Sequence, residues 1–418
     1  MKSILLASAS VIGLAGAAAA EVEFGGSATL GYNSHAYSSG ATITTTNTYT
    51  YITSGGSTST VTTTTTTSNG AGFYWDAALD VTLSQTLDNG LTVSASFGVD
   101  IADNNGGLDL EAGDYVISLT SDNAGLYFGD TDTAAGVNWA PGSALDGAYG
   151  DAFGSTDFSS SNDHGAVLRG EVTMAGVSAA VSYQVDADST ELSNLQFSAA
   201  AEFGMATVTM AYQDMDHTNM VDYTQITDEE IFGEALGLSV AATLGGADVN
   251  FGMLQVSDNV SGFENTAVGV GVSYPAGPVT LGAYYTTNSN AAVADAWGLS
   301  ADYDSGNGIT AGMTYDSDDS WEITAGYAAG AITVDAAFDS DDDFSLEGSY
   351  DVGNGLVVYA GLVDAGDSMY LGGEMDLGGG AALLVSYADD SGAESAFDDD
   401  IGARDYQVGT TVELTFEF

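Results

Sequence analysis

The chain has no cysteine, so it is neither a disulfide-stapled scaffold nor a thiolate metal site. It is nearly without cations: three Lys and Arg stand against 59 Asp and Glu, a formal net charge of −56. That balance excludes nucleic acid as a partner, because phosphate contacts need Lys and Arg. Long apolar runs are missing as well. Only the run from Ile4 to Ala17 approaches one, and a membrane helix needs about 20 such residues. Any passage through a bilayer must be made by strands. Histidine is scarce, with His35, His164 and His217 far apart in polar stretches, whereas zinc needs several nitrogen or sulfur ligands converging. A hydrolase would need a nucleophile beside a base. No Ser-x-x-His or Gly-x-Ser-x-Gly arrangement falls on a predicted strand.

What is present begins with Met1–Ala20, which reads as a secretory signal: Lys2, the apolar run, then Ala18-Ala19-Ala20 before Glu21. Its removal would take Lys2 with it and leave Arg169 and Arg404 as the cations. Hydrophobic residues make up 44% of the chain, too many for a disordered acidic tail. The acids imply strong self-repulsion in dilute salt, since the Debye length is about 30 Å at 0.01 M and about 8 Å at 0.15 M. A saline habitat or bound divalent cations would relieve it.

The dominant pattern is alternation. In the final stretch Tyr406, Val408, Val412, Leu414, Phe416 and Phe418 share one parity, and Gln407, Gly409, Thr411, Glu413, Thr415 and Glu417 take the other. A strand with that pattern has one apolar face and one wet, acidic face. The first mature segment has the same grammar, with Val22, Phe24, Ala28, Leu30 and Tyr32 opposite Glu23, Ser27, Thr29 and Asn33. Left unpaired, so long an apolar edge would aggregate; two such strands at the chain's ends are what a closed barrel needs.

Between them the rhythm is short turn, strand, longer loop, strand. Tight turns are predicted at Asp88-Asn89-Gly90, Ala175-Gly176, Gly245-Gly246 and Ala329-Gly330, and acidic loops at Asp214–Glu230, Asp339–Asp343 and Asp389–Asp400. His35–Gly70, rich in threonine, reads as a long outward loop or hairpin, with a glycosylated stalk as the alternative. The alternating segments number roughly 22, with aromatics closing strands at both ends, as in Tyr32, Phe203, Tyr274 and Tyr387. A soluble β-solenoid would repeat at a fixed period, and none is present. The predicted fold is an all-β, transmembrane, antiparallel up-and-down β-barrel with an even strand number.

The signal, the opening EVEFGGSATLGY, the segment GLYFGDTDTA at 125–134 and the ending VELTFEF together resemble the general diffusion porins of alphaproteobacteria. The resemblance implies a homotrimeric barrel of 16 strands in the Gram-negative outer membrane, fewer than the alternation suggests. It also implies that the third outward loop folds into the lumen, and that the terminal Phe418 acts as the assembly signal. That loop is Gly129 to Gly165, with Asp130, Asp132, Asp146, Asp151, Asp157 and Asp163. Carboxylates on a loop lying in a pore attract cations and repel anions.

The family sets basic wall residues against the loop acids, but here Arg169 alone is available, sharing the wet parity with Glu171. Asp76 and Asp80 stand on the strand where the resemblance would put wall arginines, and Asp100 adds a third wall acid. The sequence therefore points to a cation-preferring channel for small hydrophilic solutes, not an enzyme. Two alternatives remain. One is an adhesin or coat barrel with a plugged lumen. The other is a sugar channel with an aromatic ladder drawn from Tyr74, Trp139, Tyr149 and Phe153. The acidic clusters, among them Asp318, Asp319, Asp341, Asp342 and Asp343, are candidates for Ca²⁺, which wants six to eight oxygens. Divalent ions there could bridge to the phosphates of outer-membrane lipid or lipopolysaccharide. No cofactor is required.

Overall fold

The computed structural model describes residues 21–34, 42–52, 58–68, 72–102, 111–146, 166–185, 192–214, 234–258, 262–390 and 401–418. Residues 1–20, which hold the expected signal, lie outside them.

Strand β1 (Glu21–Asn33) leads into a separate hairpin, β2 (Thr42–Ile52) and β3 (Thr58–Ser68), which pair only with each other. β4 (Gly72–Thr86) returns alongside β1, in register from Asn33↔Gly72 to Glu21↔Ser84. The sheet continues through β5 (Thr92–Ala102), β6 (Glu111–Thr120) and β7 (Ala124–Gly129). A long connection then leads to β8 (Ala166–Met174), β9 (Val177–Val185), β10 (Leu192–Phe203) and β11 (Ala206–Asp214). β12 (Glu234–Leu244), β13 (Ala247–Asp258), β14 (Phe263–Ala276), β15 (Val279–Asn288) and β16 (Ala296–Asp304) follow in order. Six further strands come next: β17 (Ile309–Asp316), β18 (Trp321–Ala329), β19 (Ile332–Asp339), β20 (Phe344–Gly353), β21 (Leu356–Val363) and β22 (Ser368–Gly378). β23 (Ala381–Asp390) and β24 (Gly409–Glu417) finish the sheet, and β24 pairs with β1 from Ser27↔Glu417 to Asn33↔Thr411. Each strand is antiparallel to both neighbours, and the sheet closes.

The ring holds 22 strands. The 16 implied by the family resemblance must be corrected, because β17 to β22 are six complete strands, each paired with both neighbours, with register shifts only at Asp351/Gly353 and Asp376/Gly378. They are not bent halves of fewer strands.

Turn chemistry fixes the register at one end of the barrel. A two-residue hairpin loop of the favoured hand needs positive φ at both central residues. Gly245 and Gly246 supply it, at 62° and 90°. At this turn end every connection is short; the long ones, such as that from β7 to β8, all lie at the opposite, loop end.

The apolar parity faces outward. Leu30, Leu299 and Leu371 are more than half exposed, and large hydrophobic side chains line the outer surface from strand to strand. A water-facing monomer rarely shows more than a few hundred Å² of contiguous apolar surface, whereas hydrocarbon requires it. Aromatics band both rims. Tyr32 with Phe73, Trp297 with Tyr315, and Trp321 with Phe338 meet at the loop end, with ring centres 5.3–5.6 Å apart. Phe203, Tyr274, Tyr303 and Tyr350 are exposed toward the turn end.

The buried residues form no dry interior between sheets. They lie on the wet parity, where two chain segments turn into the lumen and cover the wall. The second of these corrects the alternation read from Tyr406 onward. The strand begins only at Gly409, and Tyr406 and Val408 are buried on the inner side at 3% and 9% exposure. Asp405 and Gly409 have φ of 53° and 99°, which breaks the extended run and reverses the facing of what precedes it.

Candidate pore constriction

The long connection after β7 turns at Gly129, whose φ is 121°. Asp130 then donates its backbone N–H to Tyr115 O at 2.7 Å. A Cβ at position 129 would overlap the Tyr115 carbonyl, so the chain can leave the strand here only through glycine. Thr133 caps a single helical turn, α1 (Ala134–Asn138), accepting from Gly136 N at 3.3 Å.

The other free amides of this turn are met by the barrel wall. Ala134 donates to Ser182 Oγ at 2.8 Å, and Ala135 donates to Gln196 Oε1 at 3.0 Å. Gln196 in turn donates to Gln213 Oε1 at 2.9 Å, and Ser198 donates to the Ala134 carbonyl. Ser182, Gln196, Ser198 and Gln213 are all at most 1% exposed. Polar groups so deeply buried must be paired, and here Ser182, Gln196 and Ser198 pair with the loop while Gln213 supports Gln196.

The segment then crosses the wall strand by strand. Ser239 on β12 donates to Ala140 O at 3.1 Å. A second short helical turn, Gly142–Leu145, lies on β13 and β14, where Leu145 joins Ala135, Ala211, Ala235, Leu254, Val256 and Ala267 in one apolar cluster. Glycine makes room for it: a Cβ at Gly252 would stand 2.7 Å from Leu145 Cγ, and one at Gly269 would overlap Ala144 O. On β15 Thr286 donates to Asp146 O at 2.9 Å. Residues 130–146 thus lie along the lumen face from β8 to β15.

Arg169 stands where the loop begins. It is 6% exposed, donates to the Asp132 carbonyl, and lies 3.5 Å from Glu171 Oε2. Its guanidinium sits 4.6 Å from the centre of the Tyr127 ring, and Tyr127 donates to Glu171 Oε1 at 2.9 Å. This cation therefore pins the loop to the wall from beneath and does not face open channel.

Asp132 and Asp146 are exposed, and Asp130 is half-buried. The loop and wall around Asp146 partly desolvate its carboxyl and push it above the usual range. Asp76 and Asp80 are exposed on the wet parity of β4, four strands before β8 in the ring, so they belong to another sector of the wall. Asp100 pairs with Glu111 near the loop end of β5. Asp151, Asp157 and Asp163 lie outside the described residues, as do Tyr149 and Phe153.

Of the remaining ladder candidates, Tyr74 is buried and donates to Glu413 Oε2 at 2.5 Å, and Trp139 packs against the apolar cluster. Asp318 and Asp319 lie in the turn between β17 and β18, and Asp341, Asp342 and Asp343 in the turn between β19 and β20, both at the loop end. Among the described residues no three His, Asp or Glu side chains converge to hold a metal ion.

The sequence matches the model of the Gram-negative porin family over residues 7–392. The chain belongs to that family. Porins of this family are outer-membrane channels, so the closed ring is a membrane barrel and its wet parity lines a lumen. Among solved structures, two engineered variants of the Rhodopseudomonas blastica porin are each 12% identical to this porin, with a TM-score of 0.39. The alignments cover 95% of this chain and 100% of theirs. So loose a superposition carries no argument, and the assignment rests on the family model. Comparison with curated proteins finds no match.

Sequence reasoning missed how the inward loop is held. Its signal was legible: Gln196, Ser198 and Gln213 on the wet parity beside Ala211, Ala235 and Ala267, small residues where a solvated wall would carry larger polar ones.

Proposed function

We propose that this porin is a water-filled, cation-preferring channel through which small hydrophilic solutes and ions diffuse. One observation carries the reading. Both arginines of the described chain are neutralised by wall glutamates, Arg169 by Glu171 and Arg404 by Glu374, while the lumen parity also bears Asp76, Asp80, Asp302, Glu322 and Asp335. A narrow, acid-lined passage with low-dielectric walls concentrates cations and repels anions. Asp130, Asp132 and Asp146 would act where the inward loop narrows the lumen, with the loop setting the size limit.

Planar-bilayer recording across a KCl gradient tests this. The expected reversal potential has the sign of K⁺ preference and shrinks in the Asp130→Asn, Asp132→Asn double variant. An anion-preferring potential would sink the reading, and a silent barrel would favour a surface coat or adhesin.

The same reading takes the porin to be a homotrimer in the outer membrane of a bacterium of saline habitat. Asp318, Asp319, Asp341 and Asp342 are exposed at the loop end. No single turn there supplies a full ligand set, so a bridging Ca²⁺ would share its shell with lipid or lipopolysaccharide phosphates. Calorimetry with lipid-embedded protein should show heat on adding Ca²⁺; none would exclude the bridge.

A further inference from the structure

The connection between β23 and β24 ends in eight residues, Ile401–Val408, that turn back into the barrel. Ile401 and Tyr406 exchange backbone hydrogen bonds of 3.2 and 3.0 Å and close a small loop. Its base is buried: Ile401, Tyr406 and Val408 pack with Val363, Tyr370 and Ala388 on the lumen parity of β21, β22 and β23. The Tyr370 and Tyr406 rings lie 4.7 Å apart. Glycine again permits the approach, since a Cβ at Gly372 would stand 2.6 Å from Tyr406 Oη. The Asn33 side-chain amide on β1 holds Val408 O at 3.0 Å.

The tip of this loop is exposed, and it is made of Ala403, Arg404 and Asp405. Ala403 donates its amide to Glu347 Oε2 at 3.0 Å. Arg404 pairs with Glu374 and lies 4.0 Å from the centre of the Tyr359 ring. The arrangement repeats that of Arg169, with a guanidinium on a tyrosine face and a glutamate beside it. In each case the cation fixes an inward segment to the wall.

Position decides what the second segment does. The first lies along β8 to β15 and the second against β20 to β23. In the closed ring of 22, β22 stands eleven strands from β11, half of the circumference. Both occupy the half of the barrel toward the loop end. A ring of 22 strands is wide, and barrels of that size commonly hold a plug where 16-stranded ones are open channels. A single loop against one wall would leave such a lumen open on its far side.

We propose that Ile401–Val408 is a second constriction element opposite the first, so that solutes pass between its tip, Ala403 to Asp405, and the acids of the residue 130–146 segment. Arg404 is the positioning residue that pins it. The inference rests on the channel reading and adds a second side to the eyelet.

The absence of cysteine allows a direct test in the full-length chain. Ala403→Cys, at an exposed position, is reacted in a planar bilayer with a bulky cationic thiosulfonate, with Asp88→Cys in the β4–β5 turn as the control. Modification at 403 is expected to lower the single-channel current in discrete steps, as a bulky group at a constriction would. Modification at 88 should leave it unchanged. Conducting channels whose current is unaltered after complete modification at 403 would overturn the second constriction while leaving the porin reading intact. Equal falls at both positions would overturn it too. A wild-type protein that never conducts would remove both. Arg404→Ala should raise the current and Arg404→Lys restore most of it; an unchanged current in Arg404→Ala would remove Arg404 as the pin.

Discussion

The Arg169 guanidinium lies against the Tyr127 ring and reaches the Asp132 carbonyl, so a wall cation and a loop backbone are joined at the root of the inward segment. The loop's position therefore depends on a charge that takes no part in the open channel.

Replacing Arg169 by Gln removes the cation from beneath the loop and leaves the partly exposed Glu171 without its ion-pair partner. Loss of a charge-assisted hydrogen bond in such a place costs about 1.5–3 kcal/mol. The barrel as a whole, held by its sheet, should keep its heat-modified gel mobility. Protease cleavage between residues 130 and 165 should become faster, and an unchanged cleavage rate would show that Arg169 is not the anchor.

The pH dependence of selectivity follows from Asp146. Partial desolvation by the loop and wall raises its carboxyl above the ordinary aspartate value, so the group takes up its proton at a higher pH than a free aspartate does. As the pH falls, Asp146 should stop contributing to cation preference before a free aspartate, of pKa about 3.9, would. That early part of the decline in preference should vanish in Asp146→Asn. The sign for stability is opposite in direction: the protonated form suits the folded site, so this group favours folding at low pH and disfavours it once ionised.

At Gly269 the loop backbone rests on the strand where any side chain would be. Gly269→Val should lift residues 142–146 from β14 and widen the channel, raising single-channel conductance without loss of barrel assembly. A conductance equal to wild type would mean that the segment does not narrow the lumen.

Tyr406 gives an alkaline signature. Burial pushes its phenol up to about 12, with Arg404 acting in the opposite sense. A raised value means that the folded state holds the proton more tightly than the unfolded chain. This contribution to stability is complete below about pH 10, the free phenol's value, and disappears as the pH rises toward about 12. Ultraviolet titration should show a tyrosinate transition in that upper window, coupled to release of the 401–408 segment. Titration of every phenol near pH 10 would refute it.

Much of this architecture was written in two-residue alternation. That signal is robust because a slip by one residue would turn every apolar side chain from lipid to water. The strand count followed from it directly, and the family resemblance, which implies fewer strands, was the weaker guide. Other features were less visible. Tyr406 and Val408 continue the alternation of β24 in sequence, yet positive φ at Asp405 and Gly409 turns them to the other side. Nothing in the residue pattern except the glycine hints at that. The inward path of residues 130–146 was suggested by resemblance, but the strands it rests on could not be read, because its docking depends on wall residues up to 142 positions away, as with Thr286 and Ala144.

Closure joins β1 to β24, and the Asn33 side-chain amide on β1 meets Val408 just before β24, 375 residues later in the chain. Pairings between such distant segments form slowly. The barrel's seam therefore cannot be sealed until the last strand has been delivered, and a chain cut short would present two raw edges to its neighbours. Phe418, whose backbone exchanges hydrogen bonds of 2.9 and 3.0 Å with Gly26, extends that seam by one more pair of bonds.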